Sequence, residues 1–173
     1  YPYGSHWGFT GGSTKGQLGG FKQSSLIENG DNSYTVEEFG PFANGGNGIP
    51  YNELELYLMG MIPASSVSNF DMFTDITSLA INASTFDFTA STRTTYTSEV
   101  LVDLLGERVP SVDDSQKDFK LLVVVITDDP LSDDEWDKVD ATAEWVSKKE
   151  DDGTSLYNFW EATNGVGSIT IEN

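Results

Sequence analysis

The stretch Tyr51–Pro63, YNELELYLMGMIP, is the most compact apolar segment in the first half of the chain. Its polar side chains are at Asn52, Glu53 and Glu55, so a helix here would be apolar on most of its surface. This predicts a buried helix. An ionised carboxylate is rarely buried without a partner, so Glu55 lies either at the margin of a core or facing into a site. We predict that this segment is the central element of the fold.

The chain before this segment is rich in glycine, which predicts loops and short strands. Residues 1–20 and 40–50 carry many glycines, which suit turns and close approach of backbones. Between them, Phe21–Glu28 and Ser33–Phe39 flank the turn sequence NGDN at residues 29–32. Two apolar runs around such a turn predict a β-hairpin.

Strand patterns dominate much of the chain after Pro63. Alternating apolar residues predict strand structure across Phe70–Thr89, and Thr92–Tyr96 predicts another strand. The run Phe119–Thr127, FKLLVVVIT, is apolar and β-branched between charged residues, which predicts a central strand buried on both faces. Ser168–Ile171 predicts a final short strand.

Helix signals mark three later segments. Thr97 as an N-cap and Gly106 as the terminating glycine bound a short helix. A capping-box pattern beginning at Ser132 predicts a helix over Asp133–Lys149. A further helix is predicted over Ser155–Thr163.

The order of these elements predicts an α+β fold with a single domain over residues 1–173. A chain of 173 residues can bury one good core. We expect a mixed or antiparallel sheet with the buried strand Phe119–Thr127 near its middle. The segment Tyr51–Pro63 and the helix Asp133–Lys149 are expected to pack on this sheet, after glycine-rich N-terminal loops.

The composition is strongly acidic and narrows the range of partners. There are 28 acidic and 9 basic residues, a formal charge of −19, so nucleic acid and anionic membrane surfaces are poor partners. No apolar run approaches the roughly 20 residues of a membrane span, so we expect none. Cysteine is absent, which excludes disulfides and thiolate chemistry. The charge and the many small polar residues indicate an extracellular or cell-surface protein.

The start of the chain, YPYGSHWG, lacks the basic and apolar regions of a signal peptide. We therefore expect either that a signal has been removed or that the chain begins inside a longer protein. His6 is the only histidine, and it is either a structural hydrogen-bonding residue or a metal ligand. A complete zinc site within this chain would need further ligands from Asp and Glu. No HExxH, GxSxG, GxGxxG or P-loop pattern is present.

Acidic segments make calcium a second candidate ion. Residues 28–33, ENGDNS, resemble a calcium loop, but the EF-hand order of ligands is not met, and a polar hairpin turn is the alternative. Asp128 and Asp129, together with residues 133–135, surround Pro130 as a second candidate cation site. Helix capping is the alternative explanation for residues 133–135.

Several separated sequence pieces, spread over nearly the whole chain, carry a resemblance to a known family. They are SHWGF at 5–9, QLGG at 17–20, ELELYLMGMIP at 53–63, GERVP at 106–110, SQKDF at 115–119 and FWEAT at 159–163. In this order they resemble a group of large secreted bacterial proteins that carry a zinc-metallopeptidase-like domain. That family usually has serine, proline and aspartate where Asn52, Glu53 and Glu55 stand here, so the carboxylate is kept.

The resemblance implies a role for four residues. His6 would be a third zinc ligand, and Met59 would lie beneath the metal, as the methionine turn does in metzincin-like peptidases. Glu55 would be an alternative ligand or a carboxylate that supports one. Trp7 would adjoin the same site as the neighbour of His6. In the family, an HExxH-like helix upstream of the His-Trp pair supplies two zinc ligands and the general base, and that helix is not in this sequence.

Two classes of function are expected from these features. The leading one is the C-terminal portion of an extracellular zinc-metallopeptidase-like protein that acts on a peptide or protein substrate. Because the upstream ligands are missing, this chain alone should be inactive. The alternative is a non-catalytic acidic cell-surface or filament-forming domain that binds copies of itself, other partners or calcium. A third idea is a glycan-binding module that uses exposed tryptophans.

Overall fold

An antiparallel sheet of four strands, in the order β3-β4-β6-β5, forms the centre of the protein. A computed structural model describes residues 7–12, 15–40, 48–151 and 153–171. The strands are β1 Gly11–Gly12, β2 Phe21–Lys22, β3 Ile27–Gly30, β4 Ser33–Glu37, β5 Phe70–Asn82, β6 Thr85–Tyr96, β7 Asp118–Leu121 and β8 Ser168–Ile171. The helices are α1 Glu53–Met59, α2 Ser98–Leu105, α3 Asp133–Ser147 and α4 Phe159–Ala162. The predicted α+β class is confirmed.

The first hairpin of the sheet follows from its turn residues. β3 and β4 meet at Asp31 and Asn32, which have positive φ values of 51° and 58°. Asp and Asn tolerate this left-handed conformation better than most residues, and it matches the twist of the flanking strands. The hairpin predicted around residues 29–32 is confirmed.

The second hairpin, β5–β6, is not predicted by the sequence patterns. They predict strand structure across Phe70–Thr89 and another strand at Thr92–Tyr96, whereas the chain turns at Ala83-Ser84, between β5 and β6. β6 then continues to Tyr96, because Ala90 keeps the alternation and is only 2% exposed. Thr92–Tyr96 is therefore part of β6 and not a separate strand.

An aromatic core packs against the sheet. Alternate residues of β4, β5 and β6 point into it, as the two-residue period of a strand requires. The rings of Phe73 and Phe88 meet edge to face with centroids 5.0 Å apart, a geometry that adds about 0.5–1.5 kcal/mol to area burial. The buried members of this core are Phe9, Phe21, Tyr34, Val36, Phe39, Phe73, Phe88 and Ala90.

α1 is buried, which confirms the helix predicted in Tyr51–Pro63. Asn52 is its N-cap, and Gly60 ends it with a φ of 81°. Leu54 and Tyr57 pack with Phe70 of β5 in a second apolar cluster. α1 therefore meets the four-stranded sheet at Phe70, the first residue of β5, and the run Phe119–Thr127, expected near the middle of that sheet, is not part of it.

The remaining helices agree with their capping signals to different extents. α2 begins after Thr97, whose hydroxyl accepts the N–H of Val100 at 3.3 Å, and α3 confirms the helix predicted over Asp133–Lys149 to within two residues at its end. The helix predicted over Ser155–Thr163 is only the four-residue α4, because Asn158 is extended and serves as its N-cap. None of the described helices has the length and apolar character needed to cross a bilayer.

The run Phe119–Thr127 is not the buried central strand that its composition predicted. β7 covers only Asp118–Leu121 and pairs in parallel with β8, whose last paired residue faces Leu121. Beyond that point Leu122 is 77% exposed and Ile126 is 94% exposed. The prediction was wrong because an apolar composition shows only a preference for burial, whereas a central strand also needs neighbouring strands at both edges and other elements packed on both faces.

Candidate functional site

The predicted site residues fall on two segments that the structure holds together. His6 lies outside the described residues, so its predicted role rests on the sequence alone. Trp7 is half-buried against the cluster that contains Leu54 and Tyr57. Its backbone N–H donates to the carbonyl of Leu18 at 2.9 Å. The segment that follows His6 is therefore fixed beside α1.

Glu55 links the N-terminal loop to α1. Its Oε1 accepts the N–H of Leu18 at 2.6 Å, and its Oε2 accepts the N–H groups of Gln17 at 3.1 Å and Asn52 at 2.8 Å. Glu55 is only 3% exposed. Hydrogen bonds to a carboxylate are stronger than neutral ones, so three backbone donors on one side chain form a firm attachment. We call this arrangement the Glu55 clamp.

The local sequence explains why Glu55 points inward. The Oδ1 of Asn52 accepts the N–H of Glu55 at 2.9 Å, and Glu55 accepts the N–H of Asn52 in return. This is a capping box, and an asparagine three residues before a glutamate is its sequence signal. Gly16 completes the clamp, because a Cβ there would lie 2.2 Å from Oε2 of Glu55.

Burial governs the protonation of Glu55. The loss of surrounding water raises the pKa of Glu55 above its ordinary value of 4.5, and the N–H groups of Leu18, Asn52 and Gln17 offset part of this rise. The pKa of Glu55 is thus determined by burial and by hydrogen bonds within the protein. At 3% exposure it does not open to a cleft where a substrate would meet it.

These contacts fit a positioning role for Glu55 better than metal ligation. A zinc ligand presents a lone pair to an ion that it shares with further ligands. Within the described ranges, no group of three or more His, Cys, Asp or Glu side chains is placed to hold a metal ion. Met59 lies one turn after Glu55 and is half-buried. The roles of His6, Glu55 and Met59 at zinc stay predictions.

The acidic segments considered for calcium make local contacts. Glu28 pairs with Arg93 at 3.0 Å, and residues 28–33 form the end of β3 and the turn into β4. Glu135 accepts the N–H and the hydroxyl of Ser132 at 2.8 and 2.7 Å, at the start of α3. Turn formation therefore accounts for residues 28–33 and helix capping for Glu135, and calcium binding stays a prediction.

The buried Asp71 of β5 forms an ion pair with the more exposed Arg93 of β6, and neither residue was among the predicted site residues. Asp71 is 2% exposed and accepts hydrogen bonds from Arg93 at 2.9 Å, Thr95 at 2.5 Å and Gln23 at 2.6 Å. Burial would raise the pKa of Asp71, but these hydrogen bonds and the charge of Arg93 hold it below its ordinary value of 3.8. The pairing of Asp71 with Thr95 follows from the β5–β6 register, which depends on where the hairpin turns.

A cleft beside α4 brings aromatic and polar side chains together. Tyr157 and Trp160 line it with Asp151, Glu161 and Asn164, around a volume of about 340 Å³. One oxygen of Glu161 accepts the backbone N–H that precedes α4, and the other is buried without a hydrogen-bond partner in the described part of the chain. Aromatic surface with a few convergent polar groups suits a small-ligand site. The glycan-binding idea stays a prediction.

Comparison with known proteins assigns no family or function to this chain. No family model, no curated protein and no solved structure matches this chain.

Proposed function

We propose that this chain is the C-terminal scaffold of an extracellular zinc-metallopeptidase-like protein. The observation that supports the proposal is the Glu55 clamp, which joins the loop after the His6-Trp7 pair to the helix that carries Met59. By the resemblance, His6 would be a zinc ligand and Met59 would lie beneath the metal. In this proposal Glu55 fixes the loop in place, and the remaining zinc ligands come from an upstream part of a longer protein.

The chemistry in this proposal belongs to the complete protein. If zinc is bound in the complete protein, His6 and the upstream ligands would hold it, and it would supply the activation of water that hydrolysis of a peptide bond needs. The residues of this chain contribute position: Trp7 packs on the α1 cluster, and the clamp sets the path of Gln17 and Leu18. The chain by itself is expected to show no peptidase activity.

The proposal is tested in a longer protein that includes the region upstream of this chain. Zinc content and hydrolysis of a protein substrate are measured for this longer protein without substitutions, called the parent in this test, and for its variants His6→Ala and Glu55→Gln. We expect stoichiometric zinc in the parent, loss of zinc in His6→Ala, and retention of zinc in Glu55→Gln below its melting temperature. A parent without zinc would rule out the peptidase assignment. Loss of zinc from folded Glu55→Gln would make Glu55 a ligand.

A non-catalytic acidic surface domain is the second candidate function. Exposed acidic residues on one helix, Asp137, Asp140 and Glu144 of α3, together with the exposed apolar run after β7, favour it. Such a domain would bind partners, copies of itself or calcium at a cell surface. Sedimentation velocity with and without calcium tests this candidate, and assembly that requires calcium would favour it over the peptidase proposal.

A further inference from the structure

Residues 122–127 directly follow β7, and their side chains alternate between two different faces. Leu121, Val123 and Val125 line a groove of about 380 Å³ against Val139 and Val146 of α3. The residues between them face away from this groove, as the alternation of a strand requires. Their exposed fractions are 77% for Leu122, 68% for Val124 and 94% for Ile126. We call residues 122–127 the open strand.

The backbone of the open strand has no partner among the described residues. Within those residues, which end at 171, β8 accompanies β7 as far as the pair Leu121 and Ile171. Residues 122–126 make no backbone hydrogen bond to any other part of the chain that the structure describes. Most of them are β-branched and none is proline, so the sequence favours strand geometry. An unpaired apolar strand of this kind is a template for pairing with another strand.

The charge around the open strand indicates which strand would pair with it. Asp128 and Asp129 follow it directly, Asp133 and Asp134 begin α3 nearby in sequence, and the whole chain carries −19. Lys138 is the basic residue on the groove wall. A second copy of the chain would bring the same negative charge to the contact, which opposes association, whereas lysine or arginine on the partner would meet opposite charge.

We propose that the open strand binds an extended segment of a partner polypeptide by β-strand addition. The partner segment has alternating apolar residues and is bordered by lysine or arginine near Asp128 and Asp129. Backbone hydrogen bonds provide the pairing, and apolar side chains of the added strand pack beside Leu122, Val124 and Ile126 on the outward face. This inference does not depend on whether the chain belongs to a peptidase.

The test uses a labelled synthetic peptide of alternating valine and threonine residues flanked by lysines. Fluorescence anisotropy measures its binding to the full chain. Val124→Lys places a positive charge on the outward face of the open strand. We expect the affinity of this variant for the peptide to be about tenfold lower than that of the unsubstituted chain, or lower still. Val109→Lys makes the same change at a valine that is 91% exposed outside the groove, and should bind as the parent does. Thermal unfolding confirms that both variants are folded.

Two further peptides distinguish backbone pairing from nonspecific hydrophobic binding. A version with methyl groups on alternate backbone nitrogens should not bind, and a version flanked by glutamates should bind more weakly than the lysine version. The proposal is overturned if the lysine peptide does not bind, if Val124→Lys binds it as tightly as the parent, or if the methylated or glutamate peptides bind equally well. Self-association of the parent that Val124→Lys abolishes would identify a second copy as the occupant, against the proposal.

Discussion

At the scale of single residues, two buried carboxylates organise the structure in opposite electrostatic ways. Glu55 is held by backbone donors alone and has a raised pKa, whereas Asp71 is paired with Arg93 and has a lowered pKa. Neither is open to solvent, at 3% and 2% exposure. Their difference follows from the partner, because a guanidinium charge compensates for lost water more fully than amide dipoles do.

We predict that Glu55→Gln lowers the free energy of unfolding by about 1–3 kcal/mol at neutral pH. The amide NH₂ cannot accept a hydrogen bond, so it faces backbone donors that are left unpaired. Urea denaturation followed by tryptophan fluorescence measures the change. Glu53→Gln is the matched control on the same helix, since Glu53 accepts the N–H of Ser68 at the surface. Equal losses in both variants would contradict a special role for the clamp.

The raised pKa of Glu55 also predicts a dependence of stability on pH. A group that is protonated more readily in the folded state contributes stability that is full below its unfolded pKa and is lost as pH rises through its folded pKa. Stability should therefore fall with rising pH over a window that begins near 4.5. Denaturation curves of the parent and of Glu55→Gln across this window isolate the effect, which the variant should lack.

We predict that Asp71→Asn lowers the free energy of unfolding by about 2–3 kcal/mol. Removing one partner of a fully buried pair costs about 3–5 kcal/mol, and the side chain of Arg93 is 34% exposed, which reduces the penalty. The stability that Asp71 contributes is present above pH 3.8 and is lost as pH falls through its lower folded pKa. Glu28→Gln removes the exposed partner of the same arginine, and should cost less than about 0.5 kcal/mol.

At the scale of elements, local signals placed the helices well and the strands less well. Capping residues and terminal glycines act within one turn, so Thr97 and Ser132 predicted helix starts that the structure confirms. The capping box at Asn52 and Glu55 is equally local and can be recognised in the sequence. The partners of Glu55 at Gln17 and Leu18 cannot, because they lie 38 and 37 residues away.

The run Phe119–Thr127 shows the limit of local patterns most clearly. Its composition is that of a buried strand, and the sequence alone cannot say whether neighbouring strands exist. The turn at Ala83-Ser84 was missed for a related reason, since it has no glycine and the apolar alternation continues on both sides. Ala83 takes a φ of 37°, which the long β5–β6 ladder imposes on it.

We predict that Asn158→Ala destabilises the fold by about 2–3 kcal/mol. Asn158 is 1% exposed, caps α4 by accepting the N–H of Glu161, and donates to the carbonyl of Glu150. The variant loses a cap, which costs about 0.5–2 kcal/mol, and leaves a buried carbonyl without its donor. Asn158→Asp keeps the cap but not the donor, so its chemical denaturation midpoint should fall between those of Asn158→Ala and the parent. A midpoint equal to the parent's would show that the Glu150 contact contributes nothing.

At the scale of the whole molecule, negative charge opposes compactness. A formal charge of −19 on 173 residues produces self-repulsion that salt screens. Asp137, Asp140 and Glu144 are exposed and spaced so that they repel one another along α3. The same repulsion discourages association between copies, despite the apolar open strand.

We predict that the melting temperature rises as sodium chloride increases from about 0.05 to about 0.5 M, because the screening length shortens over this range. Differential scanning fluorimetry measures the change. Replacing Asp137, Asp140 and Glu144 with their amides should raise the melting temperature at low salt and reduce its dependence on salt. A parent that melts at lower temperature in high salt would show that attractive pairs, such as Arg93 with Asp71, outweigh the repulsion.

The Glu55 clamp also has a consequence for the order in which the protein assembles. Leu18 is synthesised 37 residues before the carboxylate that accepts its N–H, so this contact cannot form until α1 exists. Closing a loop of this length costs entropy, which the hydrogen bonds to Glu55 help to offset once the helix cap has formed. The attachment of Leu18 to α1 therefore forms no earlier than α1 itself. In pulsed hydrogen exchange, protection of the Leu18 amide should never precede protection of the amides within α1.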